Sequence, residues 1–365
     1  MMQTSVVRRN PVDRICSVSF IYFLFVWLMM LSPLSWSSES IDSDRGRLVF
    51  TVRRPLDSLD GFRAIIGDRQ RRNTTAKAWW NLFQFDIFTL HPDGSDRQQL
   101  TTDGISQRPR WSFDGEQIAY ISGLDRAESL MVMNADGSEK KKLLSRQYQI
   151  HDFWWSPDST AVLVSVETER SQDPMENWVV SVKGRSKTQR RMHKWAKGWY
   201  HWSQKRDGSW TVKEPRDRLL QSLPPDVTWP VWSPDQKYIA FVTDGVLALA
   251  EVDSVSITGN WYLQRTEPPC RQIEKWSPDG TQLLFYAGRD ICLATVEDGK
   301  FTQVVDLSMR SGSSATWSPD GTQIAFVSSD QHGRRSQEIF VMDATTGQLE
   351  QITQTRYIHQ DLHWR

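Results

Sequence analysis

The chain has 365 residues, with 44 Lys and Arg against 44 Asp and Glu, so its formal net charge is zero and no class of partner is singled out by charge. It is 39% hydrophobic and 24% charged, which excludes both a disordered tail and a polytopic membrane protein. The length exceeds a typical domain of roughly 100–150 residues, which leaves several domains or one large repeat-built domain. Eighteen residues are Trp, where average usage near ~1% would give about four.

The first 37 residues form a predicted targeting segment. Three Arg residues precede an uncharged run over residues 15–36, and Ser37 follows it. This order is typical of a secretory signal peptide with a cut after Ser37. The run is also long enough for an uncleaved signal anchor in the inner membrane, and the sequence leaves both alternatives open. In either case we expect residues 38–365 outside the cytoplasm, in the periplasm or an equivalent compartment.

One phrase, Trp-Ser-x-Asp, recurs along the rest of the chain. Its copies begin at Trp111, Trp155, Trp232, Trp276 and Trp317. The intervals are 44, 77, 44 and 41 residues, and the interval of 77 is close to one period plus an insertion. Each copy holds turn residues and is followed by an alternating apolar run, and most copies then show a second pair of such runs. Four short strands per repeat of roughly 40–45 residues predict the blade of a β-propeller.

The first blade lacks a Trp phrase of its own. Residues 46–52 and 85–90 predict two of its strands, and the C-terminal segment ending at Trp364 offers the missing inner strand. Strands from both ends of the chain would then close the ring and protect its sheet edges.

The repeat length favours six blades over residues 38–365. A seventh blade would need Trp202, which precedes Trp232 by only 30 residues, too few for an ordinary blade. The predicted fold is therefore all-β, a six-bladed or alternatively seven-bladed propeller of four-stranded antiparallel blades.

The repeated phrase resembles the PD40 or WD40-like repeats of TolB-like propellers. Trp-Ser-Pro-Asp-Gly, then Ile-Ala-Phe, then Met-Asp or Met-Asn ahead of Gly carry the resemblance, which covers about residues 46–365. The resemblance implies a six-bladed propeller in the cell envelope that binds other proteins. We therefore predict a non-catalytic scaffold without a cofactor. The family's type member has an α/β domain ahead of its propeller, and fewer than ten residues separate Ser37 from the first predicted strand. We therefore expect a stand-alone propeller.

Two kinds of enzyme carry similar repeats. Propellers of this kind occur in prolyl-oligopeptidase-like peptidases, but only twelve residues follow Thr353 and no Gly-x-Ser-x-Gly is present, so we expect no hydrolase. TolB-like oligogalacturonate lyases hold a metal in the channel with His and Gln. A metal-dependent polysaccharide lyase is thus the alternative function, with His151, His359 and His363 as candidate ligands.

The residues just ahead of each Trp phrase are expected on the inner strands, near the mouth of the central channel. They either bind a ligand there or simply pack and meet water. They are Gln107, Arg108, His151, Asp152, Thr228, Trp229, Gln272, Ser313, Gln360 and Asp361.

Two insertions interrupt the repeat, near 53–80 and 183–210. Between residues 183 and 206 the second contains nine basic residues, several aromatic residues and no acid. This mixture predicts either a solvated loop or a cationic and aromatic surface for an anionic glycan, a lipid headgroup or an acidic protein patch. Export argues against nucleic acid, which uses the same chemistry. The candidate residues are Arg190, Arg191, Lys194, Trp195, Lys197, Trp199, Tyr200 and Trp202.

Two cysteines, Cys270 and Cys292, lie in the exported part. They predict either a disulfide or two buried thiols.

Overall fold

A computed structural model describes the part of the chain that carries the repeats. The described residues are 46–55, 83–123, 128–167, 175–183, 187–191, 201–205, 207–213, 224, 226–252, 262–329, 337–355 and 357–365. Their regular structure consists of β-strands, which confirms the predicted all-β class. Across these ranges no helix is long and apolar enough to cross a membrane. The targeting segment and most of the insertion at 53–80 lie outside the described residues.

The strands follow one another in short steps along the chain. In order they are β1 Leu48–Pro55, β2 Phe83–Leu90, β3 Gln98–Gln99, β4 Ser106–Trp111, β5 Gln117–Ser122, β6 Glu128–Asn134, β7 Lys141–Trp155, β8 Ala161–Glu167, β9 Met175–Ser181, β10 Lys187–Arg191, β11 His201–Gln204, β12 Trp210–Lys213, β13 Thr228–Trp232, β14 Tyr238–Thr243, β15 Val246–Glu251, β16 Tyr262–Gln264, β17 Cys270–Trp276, β18 Gln282–Ala287, β19 Asp290–Glu297, β20 Lys300–Trp317, β21 Gln323–Ser329, β22 Gln337–Asp343, β23 Leu349–Gln351 and β24 Ile358–Trp364.

Within the described ranges, antiparallel pairing arranges all of these strands except β11 and β12 in groups of four. The groups are β24-β1-β2-β3, β4-β5-β6-β7, β7-β8-β9-β10, β13-β14-β15-β16, β17-β18-β19-β20 and β20-β21-β22-β23. β7 and β20 each belong to two groups, because each strand pairs first with one sheet and then with the next. β24 supplies the inner strand of the first group, where Trp364 lies opposite Leu48.

The Ser and Asp of the Trp phrase build the turn that follows each inner strand. In the copy at Trp276, Ser277 Oγ donates to Asp279 Oδ1 at 2.5 Å and accepts the N–H of Gln282 at 2.9 Å. Burial alone would raise the pKa of Asp279, but hydrogen bonds from Ser277 and Thr281 outweigh it and lower the pKa. The same Ser-to-Asp bond is present in the copies that begin at Trp111, Trp155, Trp232 and Trp317.

Five Trp residues that end inner strands pack between neighbouring groups, whereas Trp232 is only partly buried. The rings of Trp111, Trp155, Trp276, Trp317 and Trp364 are all at most 7% exposed. Two of them also carry a hydrogen bond to the preceding phrase, from Trp155 Nε1 to the carbonyl of Arg110 at 3.0 Å and from Trp276 Nε1 to the carbonyl of Val231 at 3.1 Å. The repeated demand for Trp therefore comes from the contacts between sheets.

The segment 183–210 contains more regular structure than the sequence predicts. β10 pairs with β9 and completes the third group, so residues 187–191 form an outer strand. An outer strand needs no apolar alternation, and charge on an edge strand discourages pairing with other chains. β11 and β12 form a separate hairpin, and Gln236 Nε2 donates to the carbonyl of Trp202 at 3.3 Å.

Cys270 and Cys292 are buried free thiols. Burial raises the pKa of the Cys270 thiol to about 12, so it stays protonated at physiological pH.

Candidate functional site

Three inner strands share an unusual backbone conformation three residues ahead of the Trp. Arg108, Trp229 and Asp361 have φ values of 53°, 52° and 55°, in the left-handed region. The pairing register shifts at each of these places, so each residue lies at a β-bulge. Arg108 and Trp229 also precede proline, which makes this conformation more strained. Bulges with strained residues are common where a protein binds or reacts.

Arg108 uses this conformation to join three strand groups. Its guanidinium donates to the carbonyls of Ile150 and His151 at 2.8 and 3.0 Å and to Glu128 at 3.3 Å. Its backbone N–H donates to Asp361 Oδ2 at 3.3 Å. Arg108 and Asp361 are thus largely occupied by contacts within the protein.

Of the other residues predicted at the channel mouth, some make contacts within the protein and others are exposed to solvent. His151 Nε2 lies 3.2 Å from Glu167, and Gln360 Nε2 donates to Asp361 at 3.3 Å. Gln107 Nε2 lies 3.5 Å from the carbonyl of Gly123, and the Ser313 side chain lies outside the described residues. Trp229 differs, because half of its surface is exposed, and the neighbouring Thr228 is exposed as well.

The structure does not bring the three candidate histidines together as metal ligands. His359 is fully buried against Phe50, with its Nδ1 hydrogen-bonded to the carbonyl of Gln337. His151 pairs with Glu167, and His363 lies with Lys275 and Arg110. Among the described side chains, no three His, Cys, Asp or Glu converge to hold a metal ion.

A set of charged groups lies along the inner strands, and of its five members only Asp152 and His363 were candidate site residues in the sequence. We call Arg110, Asp152, Glu274, Lys275 and His363 the inner-strand cluster. Arg110 Nη2 pairs with Asp152 Oδ1 at 2.8 Å, and both side chains remain about a third exposed or more, at 32% and 40%. Lys275 Nζ donates to Thr316 Oγ1 at 3.3 Å, and Gln272 Nε2 donates to Glu274 Oε2 at 3.3 Å.

Electrostatic interactions link members of the cluster that come from different strands. Burial lowers the pKa of Lys275, and Arg110 lowers it further, while Glu274 and Asp152 oppose the shift. Burial raises the pKa of Glu274 against the attraction of Lys275 and Arg110. Burial, Lys275 and Arg110 together hold the pKa of His363 well below its usual value. β17 thus lies within electrostatic reach of β4, β7 and β24.

The sequence contained a signal for this cluster. Arg110, Lys275 and His363 each stand directly ahead of the Trp of their phrase. The candidates predicted at the channel mouth lie three and four residues ahead of the Trp, and they include Asp152 and Gln272. Arg110 and Lys275 were not predicted, and His363 was predicted only as a candidate metal ligand. A charged residue between two apolar positions of a repeated inner strand is the pattern that could have revealed them.

The proposed cationic and aromatic surface falls mostly outside the described residues. Arg190 and Arg191 lie on β10, where only the backbone is described. The Trp202 side chain is partly buried in β11. The remaining candidates, Lys194, Trp195, Lys197, Trp199 and Tyr200, are not described.

Comparisons with known proteins support the fold. No protein-family model matches the chain. The uncharacterised peptidase YuxL of Bacillus subtilis is 26% identical over 236 residues, which cover 61% of this chain and 33% of YuxL. The Tol-Pal system protein TolB of Geobacter sulfurreducens is 33% identical over 73 residues, 20% of this chain and 17% of that protein.

The crystal structure of TolB from Acinetobacter baumannii superposes with a TM-score of 0.52 at 13% identity, covering 87% of this chain and 66% of that chain. At this identity the likeness shows the fold alone, a TolB-like β-propeller. The chain spans about a third of the length of YuxL and about a sixth of that of the Geobacter TolB. The functions of those proteins can therefore only be proposed for this chain.

Proposed function

We propose that the protein is an exported, six-bladed propeller that acts as a non-catalytic protein-binding scaffold of the cell envelope. Its contact surface is the end of the inner strands where Trp229 is exposed. Trp229 is the observation that carries the proposal, because 50% of its surface is exposed while its backbone is held at φ 52°.

An exposed Trp in a strained backbone conformation lowers the stability of a surface that contacts only water. A bulky residue in the left-handed region costs about 1–2 kcal/mol, and an exposed indole gains nothing from burial. Trp at an interface, in contrast, is among the residues that most often dominate binding energy. Among the described residues, Trp229 is the one exposed Trp.

The arrangement of the inner strands supports a closed ring of six blades. β24 pairs with β1, and β4 contacts both. β24 also contacts β20, β20 contacts β17, and β17 contacts β13. Arg110 and Asp152, from β4 and β7, act on Lys275 of β17, as facing positions of a ring would.

The lyase alternative has less support. It needs a metal or a catalytic group in the channel, and the described residues place His151, His359 and His363 in three different environments. Metal analysis of the purified protein tests this alternative directly. A stoichiometric divalent ion that is lost in both His151→Ala and His359→Ala would favour the lyase over the scaffold.

A photo-crosslinking amino acid placed at position 229 tests the scaffold in living cells. The matched control is the same amino acid at Phe113, which is 68% exposed but follows the end of an inner strand. We expect one discrete crosslinked envelope protein from position 229 and none from position 113. Purified with that partner, Trp229→Ala should weaken binding at least about ten-fold, as expected for a hot spot. Equal crosslinking at both positions, or unchanged affinity of the variant, contradicts the proposal.

A further inference from the structure

The hairpin β11–β12 has the turn chemistry of the third and fourth strands of a blade. Lys205 N–H donates to the carbonyl of Ser209 at 2.8 Å, and Gly208 N–H donates to the carbonyl of Lys205 at 3.0 Å. Ser209 N–H donates to Asp207 Oδ1 at 3.0 Å. The same three bonds form the turns after β2 and β6, which also read Asp-Gly-Ser and which join the third strand of a group to the fourth. β11 and β12 are therefore the outer half of a blade.

β11 differs from the other third strands at its inner edge. In each group of four the third strand pairs on both sides, whereas β11 pairs only with β12 among the described residues. Main-chain groups alternate in direction along an antiparallel strand, and Lys205 bonds toward β12, so those of Trp202 and Gln204 point to the opposite edge. The carbonyl of Trp202 agrees with this direction, because it accepts from the side chain of Gln236. A side chain thus occupies the place that a neighbouring strand would take.

The bond from Gln236 is one that an added strand can replace. Its length of 3.3 Å exceeds the usual ~2.9 Å for an N–H···O bond, and the Gln236 side chain is exposed. A strand edge with unpaired N–H and C=O groups is a template for pairing with another chain. A segment that pairs with β11 would take the position of the second strand of the blade.

The charge around β11 limits the segment that can add there. Residues 192–213 contain five basic residues and one acid. Asp235 and Lys237, on either side of Gln236, form an ion pair with each other, so their charges cancel. An acidic segment is attracted to this edge, whereas the hairpin of a second copy would bring like charges together.

We propose that the free edge of β11 binds an extended acidic segment of the scaffold's protein partner by strand addition. The main-chain groups of Trp202 and Gln204 hold the segment, and the basic residues around them select its charge. The proposal rests on the scaffold function, because the added strand belongs to the bound partner. Trp229 is not part of this edge, so the two surfaces can be tested separately.

Fluorescence anisotropy with labelled synthetic peptides tests strand addition to the purified protein. Because main-chain hydrogen bonds supply the affinity, a short peptide of alternating Glu and Val serves as the probe. One control is the same peptide N-methylated throughout, which has no main-chain N–H to donate, and the other is a peptide of alternating Lys and Val. We expect saturable binding of the acidic peptide, and binding at least about ten-fold weaker for each control.

Two proline variants separate the edge of β11 from other free edges. Gln204→Pro removes an N–H that points away from β12, so the hairpin keeps its own bonds, and it should weaken binding at least about ten-fold. Gln351→Pro removes an N–H that points away from β22 in the outer strand β23, and it should leave binding unchanged. Gln236→Ala should strengthen binding, because it removes the side chain that competes for the Trp202 carbonyl.

The outcomes that overturn the proposal are distinct from failure of the scaffold function. Equal binding of the N-methylated peptide, equal binding of the Lys peptide, or no saturable binding overturns strand addition. Dimerisation that Gln204→Pro abolishes would assign the edge to a second copy and overturn it as well. If Gln204→Pro does not fold, the N-methylated peptide still decides, because the protein is unaltered in that comparison. A partner crosslinked at position 229 without peptide binding retains the scaffold and rejects strand addition, and peptide binding without such a partner does the reverse.

Discussion

Trp276 and Trp317 occupy the same position in consecutive Trp phrases and differ in one hydrogen bond. Trp276 Nε1 donates to the carbonyl of Val231 at 3.1 Å, whereas Trp317 Nε1 is buried without a hydrogen-bond partner among the described residues. The two rings are similarly buried, at 7% and 4% exposure. Replacing each with Phe removes the same part of the indole, so the difference between the two variants isolates the hydrogen bond.

The magnitude follows from what each substitution leaves behind. Both variants lose the apolar area of the missing ring and gain a small cavity, a cost of about 1–2 kcal/mol in each case. Trp276→Phe also leaves the Val231 carbonyl without its donor, which adds about 1–3 kcal/mol. Trp317→Phe instead removes a buried N–H that has no partner, which offsets part of its cost. We therefore expect Trp276→Phe to be less stable than Trp317→Phe by about 1–3 kcal/mol.

Urea unfolding followed by far-ultraviolet circular dichroism measures this difference, because that signal comes mainly from the backbone. The slope of free energy against urea must be the same in both variants for the comparison to hold. Trp155, bonded to Arg110, and Trp111, whose Nε1 is unpartnered in the described structure, provide an independent second pair. Equal losses within both pairs would refute the idea that the indole bond joins neighbouring sheets.

Three further predictions concern the pH dependence, the turns and the N-terminus. Burial lowers the pKa of His359 to about 4, so between about pH 4 and 6.5 the unfolded state binds a proton that the native state does not, and stability rises with pH across this window by about 3 kcal/mol. His359→Leu should flatten that part of a urea-unfolding series over pH, and an unchanged slope would contradict a neutral buried imidazole. Gly288→Ala should destabilise more than Gly347→Ala in thermal unfolding, because both have positive φ but an added Cβ would lie 2.6 Å from Pro268 only at Gly288, and equal losses would show that the turn at Gly288 relaxes. Residues 1–37 fused to a leaderless alkaline phosphatase should export active enzyme, and retention in the cytoplasm would rule out the targeting segment.

The sequence predicted those parts of the fold that local chemistry determines. The bond from Ser277 to Asp279 joins residues two apart, so the turn of each Trp phrase could be recognised from the phrase itself. The inner-strand cluster could not be recognised in this way. Arg110 and Lys275 influence each other electrostatically although 165 residues separate them along the chain, so their proximity depends on tertiary structure.

The segment 183–210 also contains structure that its composition does not predict. Its basic residues predicted a surface insertion, yet residues 187–191 pair with β9 as the outer strand of a sheet. An outer strand of this kind needs no apolar alternation, so composition alone does not distinguish it from a loop. Pairing with β9 makes this segment a strand, and that pairing depends on the tertiary structure.

The two long strands give the molecule a property that a ring of separate sheets would lack. β7 contributes to two sheets and so does β20, without a loop between the two halves of either strand. Each of these strands is the outer strand of one sheet and the inner strand of the next. Opening the first sheet therefore loosens the inner strand of the second. Amide hydrogens of the sheets joined by β7 should exchange with solvent as one cooperative unit, and those of the sheets joined by β20 as another. A pulling force or a protease that opens one of these sheets would then also open the sheet joined to it by the shared strand.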